Sequence, residues 1–229
     1  MPGSYGQFCP IARSLEILGD RWTLLVLRDL SMGRRRFTDL RASLTGIPPN
    51  VLSQRLKRLT EAGLVRSEEL PPPAARNVYA LTTRGRDVIP ILQTLVRFGM
   101  PELPKAGPDD DVRADTVAHG LFLAWFDRAA AREHRVDEHY DLVVHDGDVT
   151  RTYHLTSSRP GLRREVHEPA AVTVEGPAWA FARLRQGDTL DDLVADGHLT
   201  VSGSAAGRAR FAAIYALIPT ETRATTVTR

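Results

Sequence analysis

The sequence predicts an α+β protein with two domains, and three observations support that prediction. Apolar residues recur at helical spacing through the first hundred residues and include two short β-prone runs. Pro101 to Asp111 then contains three prolines, a glycine and an acidic run without periodicity, which predicts a linker. Short strands and helices alternate after it. The predicted parts are a domain over 1–100, a linker over 101–111, a domain over 112–220 and a flexible tail over 221–229.

The most informative stretch runs from Phe37 to Arg66. Two prolines followed by Asn50 suit the entry of a helix, with Asn50 as its cap. We therefore predict a helix from about Val51 to Ala62, ended by Gly63. Its leucines fall on one inward stripe. The opposite face is polar and cationic and carries Ser53, Gln54, Arg55, Lys57 and Arg58.

Elements on both sides of this helix complete the unit. Phe37, Leu40 and Leu44 form the inner stripe of a supporting helix. Downstream, β-prone runs flank a polar, proline-rich segment that carries Arg76, so we predict a hairpin. A helix-turn-helix followed by a hairpin is a winged helix, which binds DNA. The alternative is that the basic residues only form a solvated helix face.

Six short motifs resemble those of the HxlR-type regulators, which are MarR-like winged-helix transcription factors. The resemblance covers Cys9 to about Gly99 and implies a DNA-binding homodimer. The motifs are Cys9-Pro10, Gly-Asp-Arg-Trp at 19–22, Arg36-Phe37, Leu-Ser-Gln-Arg-Leu at 52–56, Gly-Leu-Val at 63–65, and Tyr-Ala-Leu-Thr at 79–82 leading into Gly85.

A winged helix on double-stranded DNA gives each candidate residue an expected role. We expect base edges to be contacted by Ser53, Gln54, Arg55 and Arg58. We expect phosphates to be contacted by Lys57, Arg35 and Arg36. Asn50 lies at the helix entry, and Arg76 is expected at the minor groove. The charge agrees, since before Pro104 the chain has 15 Lys and Arg and 9 Asp and Glu, hence +6. The rest of the chain has 15 Lys and Arg and 19 Asp and Glu, so its net charge is −4.

Cys9 is the single cysteine, so the chain has no intramolecular disulfide. It precedes Pro10 at a helix start, where unpaired backbone N–H groups favour a thiolate. Some HxlR-type regulators sense oxidants or electrophiles through a cysteine at this position. Such thiol sensing is one hypothesis for the input to this chain, and simple packing of a small side chain is the other.

Ala171 to Pro219 is similar to the C-terminal half of sterol-carrier-protein-like domains, in which a strand, two helices, a strand ending in Ser-Gly and a last helix follow one another. The resemblance implies a roughly five-stranded sheet and an apolar tunnel for a lipid-like ligand. An apolar small-molecule effector is therefore expected in this domain. The candidate pocket residues are Phe122, Trp125, Phe126, Trp179, Phe181, Leu184, Phe211 and Tyr215.

Metal, cofactor and catalytic sites are not predicted. A hairpin turn at Asp146-Gly147 would place His139 opposite His154, but two imidazoles without a third ligand do not make a site. No phosphate loop or nucleophile motif is found. No apolar run reaches the roughly 20 residues of a membrane helix, and no signal pattern precedes the first helix, so we expect a cytoplasmic, non-membrane protein.

Three hypotheses follow for the whole chain. The first is a dimeric transcription regulator that responds to a hydrophobic small molecule. The second is a regulator whose input is Cys9. The third is a non-catalytic lipid-binding module joined to a DNA-binding domain.

Overall fold

A computed structural model describes residues 4–70, 76–118, 125–163 and 166–217. The chain divides into two compact units, Met1–Leu92 and Gln93–Arg229. The predicted tail and Phe122 lie outside the described residues. Within the described ranges, no helix is long and apolar enough to cross a membrane.

The first unit has the predicted winged-helix order. Its helices are α1 (Pro10–Leu18), α2 (Thr23–Ser31), α3 (Phe37–Ser43) and α4 (Pro49–Glu61). The wing consists of the antiparallel strands β1 (Val65–Leu70) and β2 (Arg76–Leu81). Leucines of α2, α3 and α4 fill the core, and each of these is at most 2% exposed: Leu27, Leu30, Leu40, Leu52, Leu56 and Leu59.

The start of α4 differs from the prediction. Pro48 is the N-cap and Pro49 is the first helical residue, so the exposed Asn50 lies in the first turn and is not the cap. Pro49 suits this place because the first N–H groups of a helix have no partner within it.

The helix predicted from Arg84 to Phe98 is two helices, α5 (Thr83–Arg86) and α6 (Ile89–Gly99). Thr82 caps α5 as predicted, since its Oγ1 accepts a hydrogen bond from the backbone N–H of Gly85 at 3.0 Å. The break lies at residues 87–88, and Pro90, the second residue of α6, has no N–H to donate to the preceding turn. Proline therefore interrupts an otherwise helical pattern.

Gly85 lies so close to the backbone at Leu64 that only glycine fits. A Cβ atom at this position would lie 2.0 Å from the carbonyl oxygen of Leu64. Any side chain would force α5 away from the start of β1.

The second unit is built on a five-stranded sheet, as predicted. The strands are β3 (His139–Asp146), β4 (Val149–Thr156), β5 (Leu162–Arg163), β6 (Val172–Pro177) and β7 (Thr200–Gly203), in the spatial order β5-β4-β3-β6-β7. β3 pairs parallel with β6, and the other pairs are antiparallel. The helices described in this unit include α7 (Ala114–Thr116), α8 (Arg128–His134), α9 (Ala178–Arg183), α10 (Leu190–Ala195) and α11 (Ala205–Ile214).

Part of the predicted linker packs on this second unit. Ala106 belongs to its buried core, as does Met100, which lies just before the predicted linker. Gln186 receives a hydrogen bond from the N–H of Ala106 at 2.8 Å and donates one to the carbonyl of Pro104 at 2.7 Å. Proline content alone therefore does not make this segment a loose tether.

The candidate pocket residues of the second domain mostly form packed core. Phe181, Phe211 and Tyr215 are fully buried, and Leu184 is 6% exposed. Trp125, Phe126 and Trp179 pack against the same core and are partly buried. A pocket of about 520 Å³ lies elsewhere, between α10, β7 and α11, and none of these seven described residues lines it.

The predicted register of the β3–β4 hairpin is wrong. The last pair is Asp146 with Val149, so Gly147, with a φ of 58°, begins a turn that lies one residue later than predicted. His154 consequently faces Asp141, while His139 pairs with Thr156.

Candidate nucleic-acid interface

The exposed face of α4 carries polar and cationic side chains on a rigid element. Ser53, Gln54, Lys57 and Arg58 are all exposed. Lys57 lies 3.9 Å from Glu61 one turn later, and its side chain is 79% exposed. The buried leucine stripe on the opposite side fixes the helix to the core, so this face is presented outward.

Asp20 holds two arginines of α4. Its Oδ2 atom accepts hydrogen bonds from the guanidinium of Arg55 and from Nη1 of Arg58, the latter at 2.7 Å. The two arginines differ in exposure, because the side chain of Arg55 is only 13% exposed and that of Arg58 is 57% exposed. Arg55 is therefore mainly an internal anchor, and Arg58 is the arginine that faces solvent.

The environment of Arg55 supports its role as an internal anchor. Burial, and next the charge of Arg58, lower the pKa of Arg55. Across the described part of the chain, its buried Nε has no hydrogen-bond partner. An arginine stays protonated in such a setting, so the carboxylate of Asp20 is the countercharge that makes its burial tolerable.

The turn that supplies Asp20 has an unusual backbone. Trp22 precedes α2 with a φ of 77°, in the left-handed region that non-glycine residues seldom adopt. The guanidinium of Arg21 lies 5.4 Å from the centre of its ring. The Gly-Asp-Arg-Trp motif thus forms a constrained turn that directs the Asp20 carboxylate toward α4.

The basic residues before α3 are held by local contacts. The Arg36 guanidinium pairs with Asp39 at 2.8 Å and holds the pKa of that carboxyl below its usual value. The backbone of Arg35 forms a two-bond bridge with Tyr79 of β2, which ties this segment to the wing. Arg36 keeps 43% of its side chain exposed. Arg76 begins β2, opposite Leu70.

A family model described as HxlR-like helix-turn-helix matches residues 17–106. An HTH-type transcriptional regulator of Bacillus subtilis, YvaP, is 36% identical over 93 residues, which are 40% of this chain and 86% of that protein. Rv3095 of Mycobacterium tuberculosis, also named as an HTH-type transcriptional regulator, is 40% identical over 107 residues, 46% of this chain and 67% of that protein. The chain belongs to the HxlR-like helix-turn-helix family.

Among solved structures, the reduced form of the transcriptional regulator YodB from B. subtilis is 28% identical. The likeness covers 41% of this chain and 92% of that chain, with a TM-score of 0.37.

Two helices, α1 and α6, expose apolar side chains. In α6, which has no buried residue, Ile91 and Leu95 are each 43% exposed and Phe98 is 79% exposed. In α1, Ile11 is 71% exposed and Leu15 is 46% exposed. Both sets recur at spacings of three or four residues, so each forms a continuous apolar face.

Cys9 is the N-cap of α1, with Pro10 as the first helical residue, as the sequence indicated. Its side chain is half-buried.

Sequence reasoning singled out Arg55 but missed its partner. Asp20 lies 35 residues away from Arg55 in sequence, and no periodicity links an isolated carboxylate to a helix face at that separation. The one available signal was the position of Asp20 within the Gly-Asp-Arg-Trp motif.

Proposed function

We propose that this chain is a transcriptional regulator that binds double-stranded DNA as a homodimer. The observation that supports this most strongly is the outward polar and cationic face of α4 in a winged helix. A helix of this kind fits the major groove, where side chains distinguish all four base pairs. The names of its HxlR-like relatives agree with the proposal.

The four exposed residues of α4 divide by chemistry. Arg58, Ser53 and Gln54 are assigned to base edges, because arginine bonds guanine bidentately and an amide bonds adenine in the same way. Lys57 is assigned to a phosphate. Arg55 becomes a positioning residue that fixes the phase of α4 through Asp20. Arg36, Arg35 and the wing residue Arg76 are assigned to the DNA backbone and the minor groove.

The apolar faces of α1 and α6 support the homodimer. A folded chain that leaves Phe98 79% exposed gains by burying it against a second copy. Two-fold symmetry would then present two α4 helices to half-sites about one DNA turn apart.

The second unit is assigned the effector input. Its pocket of about 520 Å³ is within the size range of small-molecule sites, about 300–1,000 Å³. The lining is mostly aliphatic and includes Leu190, Val194, Val201 and Leu217, with Asp191 and Arg208 as its charged members. An apolar molecule with one polar end suits this lining.

Selection of DNA from a random-sequence library with the purified full-length chain tests the DNA-binding proposal. We expect a two-fold symmetric motif whose half-sites are one helical turn apart. Arg58→Gln should change the preferred base at one position of each half-site, whereas Lys57→Gln should keep the motif and weaken binding to every sequence. Failure to enrich any sequence would contradict the proposal.

Native mass spectrometry of the chain purified from its source cells tests the effector input. A dimer with extra small-molecule mass that is lost on denaturation supports it. Replacement of Val201 by a bulky tryptophan should abolish that mass. Retention of the same mass in this variant would refute the assignment to this pocket.

Thiol sensing by Cys9 is the competing input, and its position at the start of the exposed apolar α1 favours testing it. If Cys9 is the input, peroxide should weaken DNA binding in the wild-type chain and leave Cys9→Ser unaffected. An equal response of both proteins would exclude it.

A further inference from the structure

Two histidines and an aspartate meet on one face of the sheet in the second unit. His139 and Asp141 are two residues apart on β3, so their side chains point to the same face. His154 lies directly opposite Asp141 on β4. One ligand-type atom from each residue lies within 4.8 Å of the other two.

The separations are close to those of a metal site. His154 Nδ1 is 2.6 Å and His139 Nε2 is 3.6 Å from Oδ1 of Asp141. Ligands about 2.0–2.2 Å from a tetrahedral zinc ion are separated from each other by roughly 3.3 Å. The three atoms already lie within 4.8 Å of one another, so a bound ion requires shifts of about an ångström at the side-chain ends.

The surroundings favour a cation. His139 is only 4% exposed, whereas 29% of His154 is exposed, so the cluster is recessed and still accessible from one side. Arg163 pairs with His154 across the strands, but its guanidinium forms an ion pair with Asp137. The carboxylate of Asp137 therefore offsets the charge of Arg163.

We propose that His139, Asp141 and His154 bind a divalent cation of the late first-row transition metals, with zinc as the reference ion. Two imidazole nitrogens and one carboxylate oxygen form a ligand set that such ions prefer and that magnesium and calcium do not. The fourth position is open to water. The bound ion joins β3 to β4 through side chains and stabilises the second unit, independently of DNA binding.

The competing explanation is a hydrogen-bonded pair between His154 and Asp141 that needs no ion. The chain contains a matched comparison for it, because His145 lies on the same strand and approaches the carboxylate of Glu175 at 3.2 Å. This pair has one histidine and one carboxylate, but it is not part of the three-residue cluster. It controls for binding by any histidine beside a carboxylate.

The test uses the full chain without an affinity tag, after treatment with a chelator. Isothermal titration with Zn²⁺ should give one ion per chain, and Co²⁺ should give visible absorption bands typical of a four- or five-coordinate ion. At Zn²⁺ concentrations a hundredfold above the dissociation constant, the melting midpoint of the second unit should rise by roughly 5–10 °C. Mg²⁺ should produce none of these effects.

Two variants of the cluster and one control variant decide the outcome. His154→Gln and Asp141→Asn should lose the stoichiometric zinc and the cobalt bands, and circular dichroism should show that both remain folded. His145→Ala should retain both signals. Absence of stoichiometric binding to the folded wild-type chain, retention of binding by His154→Gln, or loss of binding in His145→Ala would each overturn the proposal.

Discussion

Removal of the Asp20 carboxylate should loosen α4, because Asp20→Asn leaves Arg55 charged and mostly buried without a countercharge. A hydrogen bond to a charged group contributes about 1.5–3 kcal/mol to stability. The side chain of Asp20 is 40% exposed, so solvent screening reduces that value, and we expect a loss of about 1–2 kcal/mol.

A double-mutant cycle separates the two arginines that share Asp20. In the Arg55→Met background, Asp20→Asn should reduce the stability of α4 only slightly, because that background has no buried charge for Asp20 to neutralise. In the Arg58→Gln background, Asp20→Asn should destabilise α4 nearly as much as it does in the wild-type chain, since Arg58 is well exposed.

Hydrogen exchange measured on peptides from α4 gives the local stability that this cycle requires, since the chain has two units and need not unfold in one step. A loss of about 1–2 kcal/mol corresponds to exchange that is about 5–30 times faster at 25 °C. Equal coupling of Asp20 to both arginines, or no change in exchange in Asp20→Asn, would refute the assignment of Arg55 as the anchor.

Three further predictions concern other parts of the chain. The double change of Leu95 and Phe98 to glutamate should convert the proposed homodimer to a folded monomer in analytical ultracentrifugation, whereas Val149→Glu, at a 50% exposed site, should leave it dimeric. A dimer in both cases would exclude α6 as the interface. Gly85→Ala should destabilise the first unit by about 1–3 kcal/mol, measured by hydrogen exchange, because the added Cβ would clash with the Leu64 carbonyl. Unchanged exchange in this variant would contradict the close approach. Arg210, which bonds Glu138 through two nitrogens at 2.8 Å, lowers the pKa of that carboxyl below 4.5, so the stabilisation is complete above pH 4.5 and is lost as pH falls through the lower folded value. Arg210→Met should therefore flatten the acid dependence of unfolding, and an unchanged dependence would show that another group causes it.

Local patterns predicted the winged helix well because its elements depend on short-range periodicity. The leucines that recur along α4 are buried, and the proline-rich segment between β1 and β2 separates two paired strands. Family membership confirms the resemblance that the Gly-Asp-Arg-Trp and Leu-Ser-Gln-Arg-Leu motifs indicated.

Features that depend on contacts between distant residues could not be read from the sequence. The pairing of Asp20 with α4 requires the fold of the whole unit. In the β3–β4 hairpin, the Asp-Gly signal placed the turn one residue too early, because Gly147 and not Asp146 is the first turn residue. That shift retained the correct face for His154 but gave it the wrong partner, so its proximity to Asp141 was missed.

The aromatic residues of the second unit show a different limit. Their spacing predicts an apolar cluster, and the structure contains one, with the rings of Tyr140 and Phe211 5.0 Å apart and those of Phe126 and Tyr215 5.5 Å apart. Composition does not distinguish side chains that fill a core from side chains that line a cavity. The five-stranded sheet is present as predicted, and the described pocket uses smaller aliphatic residues.

A crystal structure of the full chain bound to its selected DNA duplex would test the central claim most directly. We expect a two-fold symmetric dimer with α4 of each copy in the major groove. Arg58 should contact a base edge there, and Arg55 should remain paired with Asp20. A complex in which α4 lies outside the groove, or in which Arg55 leaves Asp20 to contact a base while Arg58 does not, would contradict this account of how the chain binds DNA.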